Sequence, residues 1–475
     1  MLKNKTNKIT ENIYELPKSG KMNVPVEIFA SEILFSKIKE DKTLEQAKNM
    51  AMMQGVVEKV VVLPDAHQGY GACIGGVSAY DLEKGVISPG QCGYDINCGV
   101  RLLVTNLTKS DFLKKRTEVL NEIYKNVPSG VGKESDFKLT INELDDVLNT
   151  GINWALKNGY ASKEDIERIE DNGCLQGADA SKVSQRAKAR GKNQLGSLGS
   201  GNHFIELQEV ESIFNEKTAK ILGIKDKQQI VIMVHSGSRG LGHQTCSDYV
   251  QKMEKEYGFE HLPDRELACA PINSKLGQEY RSAMNAAANF AFVNRQLITH
   301  QIRKAFSKFF PKSKLDLVYD ITHNIVKFEE HKVKGKSCTL CVHRKGATRS
   351  FGPGRKEIPA IYRKIGCPIF IPGSMGTFSY VLIGTKKAEE LSFGSTAHGA
   401  GRVMSRSYAI NNLSEKKLEK EMSDKDVLMR VGSMRGALEE APEVYKDIDE
   451  VVRVSDELGI GQLVARLKPL AVVKG

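Results

Sequence analysis

The alternation of apolar and polar positions predicts helices and strands in irregular succession. Residues 42–54, "KTLEQAKNMAMMQ", read as a helix and precede a strand, "VEKVVVLPDAH". Short strands punctuated by glycine follow, up to about residue 105. Helical periodicity returns in "KSDFLKKRTEVLNEIYKNV" and in "INELDDVLNTGINWALKNGY", where Leu144, Val147, Ile152 and Leu156 recur at helical spacing. Residues 275–310 predict one long amphipathic helix. Around it lie strands with little polar interruption: "QQIVIMVHS", "LDLVYDITH", "CPIFIPG" and "FSYVLIG". The succession lacks the regular strand–helix rhythm of a doubly wound sheet or a barrel, so the expected fold class is mixed α/β (α+β). No repeat, low-complexity tract or linker divides the chain. Residues 1–475 are expected to form one domain, with a charged helical surface segment near 413–456.

Charge sharpens this picture. Lys plus Arg number 69 against 58 Asp plus Glu, a net charge of +11 that favours a polyanionic partner. No apolar run reaches the ~20 residues of a membrane helix. The stretch "AMNAAANFAFVNRQL" is interrupted by Asn285, Asn289, Asn294 and Arg295, so no membrane partner is expected. The opening "MLKNKTNKITENIYELPKSGK" has no apolar core of a leader, and a cytoplasmic location is expected. Nine cysteines spread over the chain argue for a reducing compartment and against a disulfide framework.

Glycines cluster in "HQGYGACIGG", "GSLGSGNHF", "HSGSRGLGH", "FGPGR", "PGSMGT" and "HGAGR". Most flank a strand end, where backbone amides can approach a ligand closely. Nearly all carry a His, Asn, Ser or Arg beside the glycine, which points to one composite site. His203, His235, His323 and His398 occupy such settings, as do Asp95 and Cys98 of "GYDINCGVR". For Cys98 two readings stay open: a buried small hydrophobe, or a metal ligand. Imidazole, carboxylate and thiolate are the ligand set for Zn, Mn, Fe or Co. Five candidates exceed a closed tetrahedral site, and a thiolate shared between two ions would use them all. Against this, "CTLC" at Cys338–Cys341 reads as strand-face residues, and His343 is grouped with the basic loop "VHRKGATR". No phosphate-binding P-loop is present, because Glu330 stands where the first glycine of "EHKVKGKS" would be needed. The lysine motif of the usual nucleotidyltransferase ligases is also missing.

"STAHGAGRVMSR" offers another nucleophile. Small residues after His398, followed by Arg402 and Arg406, make a phosphate cradle in which a neutral imidazole could attack phosphorus. "PGSMGT" at 372–377 offers a second nest of amides and hydroxyls. Arg190, Arg239, Arg349 and Arg355 are expected to add positive charge. The run Lys182, Arg186, Lys188, Arg190, Lys192 is expected to track a phosphate backbone.

The motifs "LPDAHQGYG", "GYDINCGVR", "GSLGSGNHFIEL", "VHSGSRGLGHQ", "DITHNIV", "HRKGATR", "PGSMGTFSYVL" and "STAHGAGRVMSR", in this order, resemble the RtcB family of GTP-dependent RNA ligases. The resemblance implies stacked mixed sheets flanked by helices around a dinuclear metal cleft. It implies joining of an RNA 3′-phosphate or 2′,3′-cyclic phosphate to a 5′-hydroxyl, with GTP and two Mn(II) ions, through GMP carried on His398. Asp95, Cys98, His203, His235 and His323 match the family's metal ligands, Cys98 bridging. Asn202, His203, Phe204, Ile205, Glu206, His323, Asn324, Pro372, Gly373, Ser374, Met375, Ser379, His398, Gly399, Ala400, Gly401, Tyr445 and Lys474 match its nucleotide site. Asp65, Arg190, Arg239, Arg402 and Arg406 would complete the catalytic and RNA-end group. The implied partners are cleaved RNA ends, tRNA or other, with room for an archease-type activator and a monomeric chain. A soft thiolate among N and O donors should also accept zinc. Two rival readings use the same residues: a dinuclear-metal phosphoesterase acting on RNA ends, and a non-catalytic RNA-binding protein with a structural metal.

Overall fold

The helix expected at residues 275–310 runs over Lys275–Phe309 and starts at Ser274, whose hydroxyl accepts from the Gly277 N–H at 3.1 Å. Its ends are amphipathic, exposing Lys275, Gln278, Lys304 and Lys308, but its middle is not. Every side chain from Ala283 to Thr299 is buried, because strands, helices and loops pack on it from all sides. Its polar residues are therefore bolts rather than a solvent face. Asn289 donates to Leu148 O at 2.9 Å and accepts from the Leu175 N–H at 2.8 Å. Asn294 accepts from the Gly196 N–H at 2.8 Å and donates to Ser236 Oγ at 3.0 Å. The computed structural model describes residues 6–475; Met1–Lys5, part of the stretch read for a leader, lies outside the described residues.

Among the described residues two large sheets dominate. One orders its strands Asn7–Thr10, Ile13–Leu16, Val26–Phe29, Val56–His67, Ile74–Asp81, Lys336–Lys345 and Asn324–Val333. The other orders them Leu315–Thr322, Gly99–Thr108, Gln229–Ser236, Phe204–Ile213, Gln462–Lys474, Ser379–Ile383 and Pro368–Ile371. Leu428–Val431 is added in parallel to Gln462–Lys474. The inner strands read as near-continuous apolar runs because both their faces are covered, as in "QIVIMVHS". His323 sits where the chain leaves one sheet and enters the other, between Leu315–Thr322 and Asn324–Val333. A two-stranded ribbon, Ala347–Arg349 with Ser395–Ala397, leads into His398.

Several expected elements differ in their ends. The stretch 141–160 is two helices, Ile141–Thr150 and Ile152–Lys157, because Gly151 adopts φ 54° between them. "EHKVKGKS" spans a hairpin whose two central residues, Lys334 and Gly335, both have positive φ. The 413–456 segment carries helices Glu415–Asp424 and Ile448–Glu457, but the second buries Ile448, Val451, Val452 and Val454, so it is not merely a surface feature. Cys338 and Cys341 do lie on the Lys336–Lys345 strand. His343 lies there too, fully buried, and accepts from the Ser88 N–H; it is not part of a basic loop.

One buried ion group ties the long helix to the sheet. Asp320 accepts from Arg101 at 2.7 Å and from Arg295 at 2.8 Å, all three side chains being fully buried. Asp320→Asn would leave two guanidiniums without a counter-charge in the interior. Breaking such a pair costs about 3–5 kcal/mol. Equilibrium unfolding in urea should show a loss of that size, and a loss below about 1 kcal/mol would contradict the assignment.

Candidate functional site

Five side chains from four chain segments converge between the two sheets. Asp95 and Cys98 lie on the turn before Gly99–Thr108, His203 precedes Phe204–Ile213, His235 closes Gln229–Ser236, and His323 sits at the sheet-to-sheet crossing. Cys98 Sγ lies 3.4 Å from His203 Nε2 and 3.2 Å from His235 Nε2. His235 Nε2 lies 3.2 Å from His323 Nε2, and His203 Nε2 lies 2.9 Å from Asp95 Oδ2. The donors form two triads, Asp95–Cys98–His203 and Cys98–His235–His323, which share the sulfur.

The electrostatics suit a cation. Burial first, then the facing histidines, push His235 and His323 well below their ordinary values, so both rings are neutral with free lone pairs. Burial, then the Asp95 carboxylate, pushes the Cys98 thiol well up. Burial also works to raise Asp95, but the His203 ring and Arg239 outweigh it and bring the carboxyl down to about 2. Sulfur and imidazole lone pairs crowd together here with few protons to share, so they are poorly satisfied by one another. A divalent ion in each triad would satisfy them and displace the thiol's proton. The residues present therefore fit a pair of metal ions bridged by Cys98.

His398 stands beside this cluster, its ring centroid 4.8 Å from that of His323. Its Nδ1 lies 2.6 Å from Asp65 Oδ2, which also accepts from the backbone N–H groups of His398 at 3.0 Å and Gly399 at 3.3 Å. Asp65 comes from the long strand Val56–His67. The close approach requires Gly401, since a Cβ there would collide with Asp65 O. With Nδ1 engaged, Nε2 is the nitrogen left for chemistry.

The neighbouring polar groups form a second cluster. Glu206, on Phe204–Ile213, faces Lys474 on the antiparallel Gln462–Lys474. Burial raises the Glu206 carboxyl to about 8 although Lys474 works against it. Gln208 donates to Glu206 Oε2 at 2.7 Å and to Ser379 Oγ at 3.0 Å, and Ser379 Oγ accepts from the Gly373 N–H at 3.3 Å. Tyr445 Oη lies 3.4 Å from Asn202 Oδ1. Phe204 underlies Lys474 at 5.6 Å. Pro372 O faces Gly399 at 3.5 Å from where a Cβ would stand, which joins the 372–375 turn to the 398–401 loop. Ile205 alternates to the opposite face and its side chain lies in the core.

A family model described as "tRNA-splicing ligase RtcB" matches residues 46–475. The chain is 53% identical over 475 residues to the tRNA-splicing ligase RtcB of Nanoarchaeum equitans, with 99% of each chain covered. It is 50% identical to that of Thermococcus kodakarensis, with 97% of each covered. It is 44% identical to the RNA-splicing ligase RtcB homolog 1 of Entamoeba dispar, over 96% of this chain and 88% of the relative. The chain belongs to the RtcB family.

In this RtcB-family chain the arginines divide. Arg239, half-buried at the start of helix Arg239–Tyr257, lies against Gly199, where a Cβ would collide with both Arg239 and His203. Arg190 is exposed on helix Gln185–Gly191 and donates to Gln244 at 2.9 Å. Arg402 pairs with Glu440 at 3.1 Å and lies 5.4 Å over the Tyr445 ring. Arg406 is exposed, 3.5 Å from Glu439. Arg349 and Arg355 are not free positive charges. Arg349 is buried against Glu170, Asp171 and Glu329, and Arg355 pairs with Glu357 and Glu389. The basic run 182–192 is also split, because Lys182 pairs with Glu279 and the buried Lys188 with Asp145.

Sequence reasoning missed four groups that build the site. Glu440 joins Arg402, Tyr445 and Lys474. Lys446 reaches the carbonyls on either side of Asp65, those of Pro64 and Ala66. Ser238 donates its N–H to Asp95 Oδ1 at 2.9 Å. Arg295 braces the ligand turns from behind, and was visible only as an interruption of an apolar run. Asn324 braces the turn, donating to Asp95 O at 3.1 Å and accepting from the Gly346 N–H at 2.8 Å.

Burial alone would raise the Asp65 carboxyl, but His398 and Lys446 hold it below its ordinary range. A depressed native value adds stability above the unfolded value of ~3.9 and loses it as pH falls through the native one. The stability difference between the wild type and Asp65→Asn, read by urea unfolding, should therefore be full at pH ~6 and shrink steadily toward pH ~2. A pH-independent difference would contradict the lowered Asp65 carboxyl.

Proposed function

We propose that this chain is an RNA ligase that joins an RNA 3′-phosphate or 2′,3′-cyclic phosphate to a 5′-hydroxyl and consumes GTP through a histidine–GMP intermediate. The observation that carries the reading is His398, tied through Nδ1 to Asp65, with its ring 4.8 Å from that of His323 in the Cys98 cluster. Nε2 attacks the α-phosphorus of GTP; the N–P bond forms as the bridging P–O bond breaks and pyrophosphate leaves. Asp65 keeps the proton on Nδ1 and balances the charge the ring gains. An oxygen of the RNA 3′-phosphate then takes GMP from His398. Finally the 5′-hydroxyl oxygen attacks the RNA 3′-phosphorus, loses its proton, and displaces GMP. A cyclic phosphate is first opened by water.

Two Mn(II) ions, held by Asp95, Cys98 and His203 and by Cys98, His235 and His323, would neutralise phosphate charge and favour an unprotonated His398. The base pocket fits guanine. Burial keeps Glu206 protonated in the empty pocket; with guanine bound, the N1–H and 2-amino donors and Lys474 favour its carboxylate, which accepts from both, while Lys474 donates to O6; adenine offers the opposite pattern at these positions. Asn202, Phe204, Tyr445 and the 372–375 turn enclose the nucleotide. Arg190, Arg239, Arg402 and Arg406 orient RNA phosphates.

The test supplies RNA with a cyclic phosphate end and a 5′-hydroxyl end, with Mn(II) and either GTP or ATP. Joined product should form with GTP, with an acid-labile, alkali-stable protein label from α-labelled GTP. In His398→Ala the label should vanish and joining should fall at least ~10³-fold. Hydrolysis of the RNA end with no GTP requirement and no label would favour the phosphoesterase instead.

A further inference from the structure

The "HQGYG" loop holds an exposed aromatic ring that the ligase chemistry does not use. Tyr70 is 72% exposed, yet its backbone is fixed. Lys345 Nζ donates to Tyr70 O at 2.5 Å and to Gly90 O at 2.9 Å. Gln46 exchanges two hydrogen bonds with the preceding Gly69, at 2.7 and 2.9 Å. A ring held out by a rigid backbone exposes apolar area that folding alone would cover.

Tyr70 begins a row. Its centroid lies 6.2 Å from that of Tyr94, edge to face at 81°. Tyr94, anchored by its hydroxyl to Glu266 at 2.8 Å, lies 5.0 Å from the exposed His243 ring. Tyr94 directly precedes the metal-site residue Asp95. His243 is carried by helix Arg239–Tyr257, against which the helix bearing Arg186 and Arg190 is packed. Both arginines are exposed. Aromatic faces beside guanidiniums, leading toward a phosphoryl-transfer centre, match the chemistry of unpaired nucleotides: bases stack on rings while phosphates meet arginine.

We propose that Tyr70, Tyr94 and His243 form a stacking platform for unpaired nucleotides at one RNA end, with Arg186 and Arg190 taking its phosphates. The proposal rests on the ligase reading for its location and names how that site grips its RNA. Either the 5′-hydroxyl strand or the 3′-phosphate strand supplies the bases, and the same experiment tells them apart.

Fluorescence anisotropy of the full chain with Mn(II) should use short labelled single-stranded RNAs, one with a 3′-phosphate and one with a 5′-hydroxyl end. Each is made intact and with its end nucleotides abasic. Tyr70→Ala should weaken one intact RNA roughly tenfold, and Tyr70→Trp should restore it. The abasic form of that RNA should bind wild type and Tyr70→Ala alike. Unchanged binding of both RNAs in Tyr70→Ala, or equal weakening of intact and abasic forms, would overturn the platform. A Tyr70→Ala chain that binds RNA as wild type but loses a protein partner would do the same. Labelling of the wild type by α-labelled GTP reports the ligase reading separately.

Discussion

One guanidinium holds the centre together. Arg295, on the buried stretch of the long helix, donates to Asn97 O at 2.8 Å and to Ser236 O at 2.9 Å, and pairs with Asp320 at 2.8 Å. Asn97 precedes Cys98, Ser236 follows His235, and Asp320 lies three residues before His323. A single planar fork thus sets the relative positions of three metal-site residues on three strands. Gly99 permits this approach, since a Cβ there would stand 3.2 Å from the Arg295 guanidinium and collide with Ile321 O. Burying the charge is costly, and Asp320 with the strand-end carbonyls offsets that cost. The same carbonyl bonds close strand ends that would otherwise leave polar groups unpaired in the interior.

Positioning of this kind matters because Cys98, His235 and His323 gain little from one another, even though Asp95 and His203 attract. The neutral imidazoles and the thiol meet only because the backbone behind them leaves no alternative. The arrangement at His398 repeats the logic with a different brace. Asp65 fixes the ring and two amides, and Lys446 holds the carbonyls on both sides of Asp65. Burial brings Lys446 down to about 8, although the Asp65 charge works against it. In both cases a buried cation behind the site shapes the backbone that presents the reactive atom.

The cluster itself was legible because metal chemistry restricts residue type: His203, His235, His323, Asp95 and Cys98 stood out among glycines, and the fold brings them together. So did the long helix and the apolar strands, whose periods are set by local geometry. The braces were not legible. Arg295, Glu440 and Lys446 act through partners distant in the chain, and nothing in their local sequence distinguishes them from solvated charges. Arg349 shows the converse error: beside glycines it read as added positive charge, yet three carboxylates from elsewhere neutralise it in the interior. Burial all round the 283–299 helix was hidden for the same reason, since its asparagines mimic a polar face until their partners are known.

The central claim is that Cys98 serves two cations at once. Manganese titration of the full chain followed by electron paramagnetic resonance addresses it directly. The account predicts that the second equivalent quenches the isolated-ion signal into that of a coupled pair ~3.5–4 Å apart, and that Cys98→Ala abolishes the coupling. Two equivalents bound without coupling in the wild type, or an unchanged coupled signal in Cys98→Ala, would contradict it.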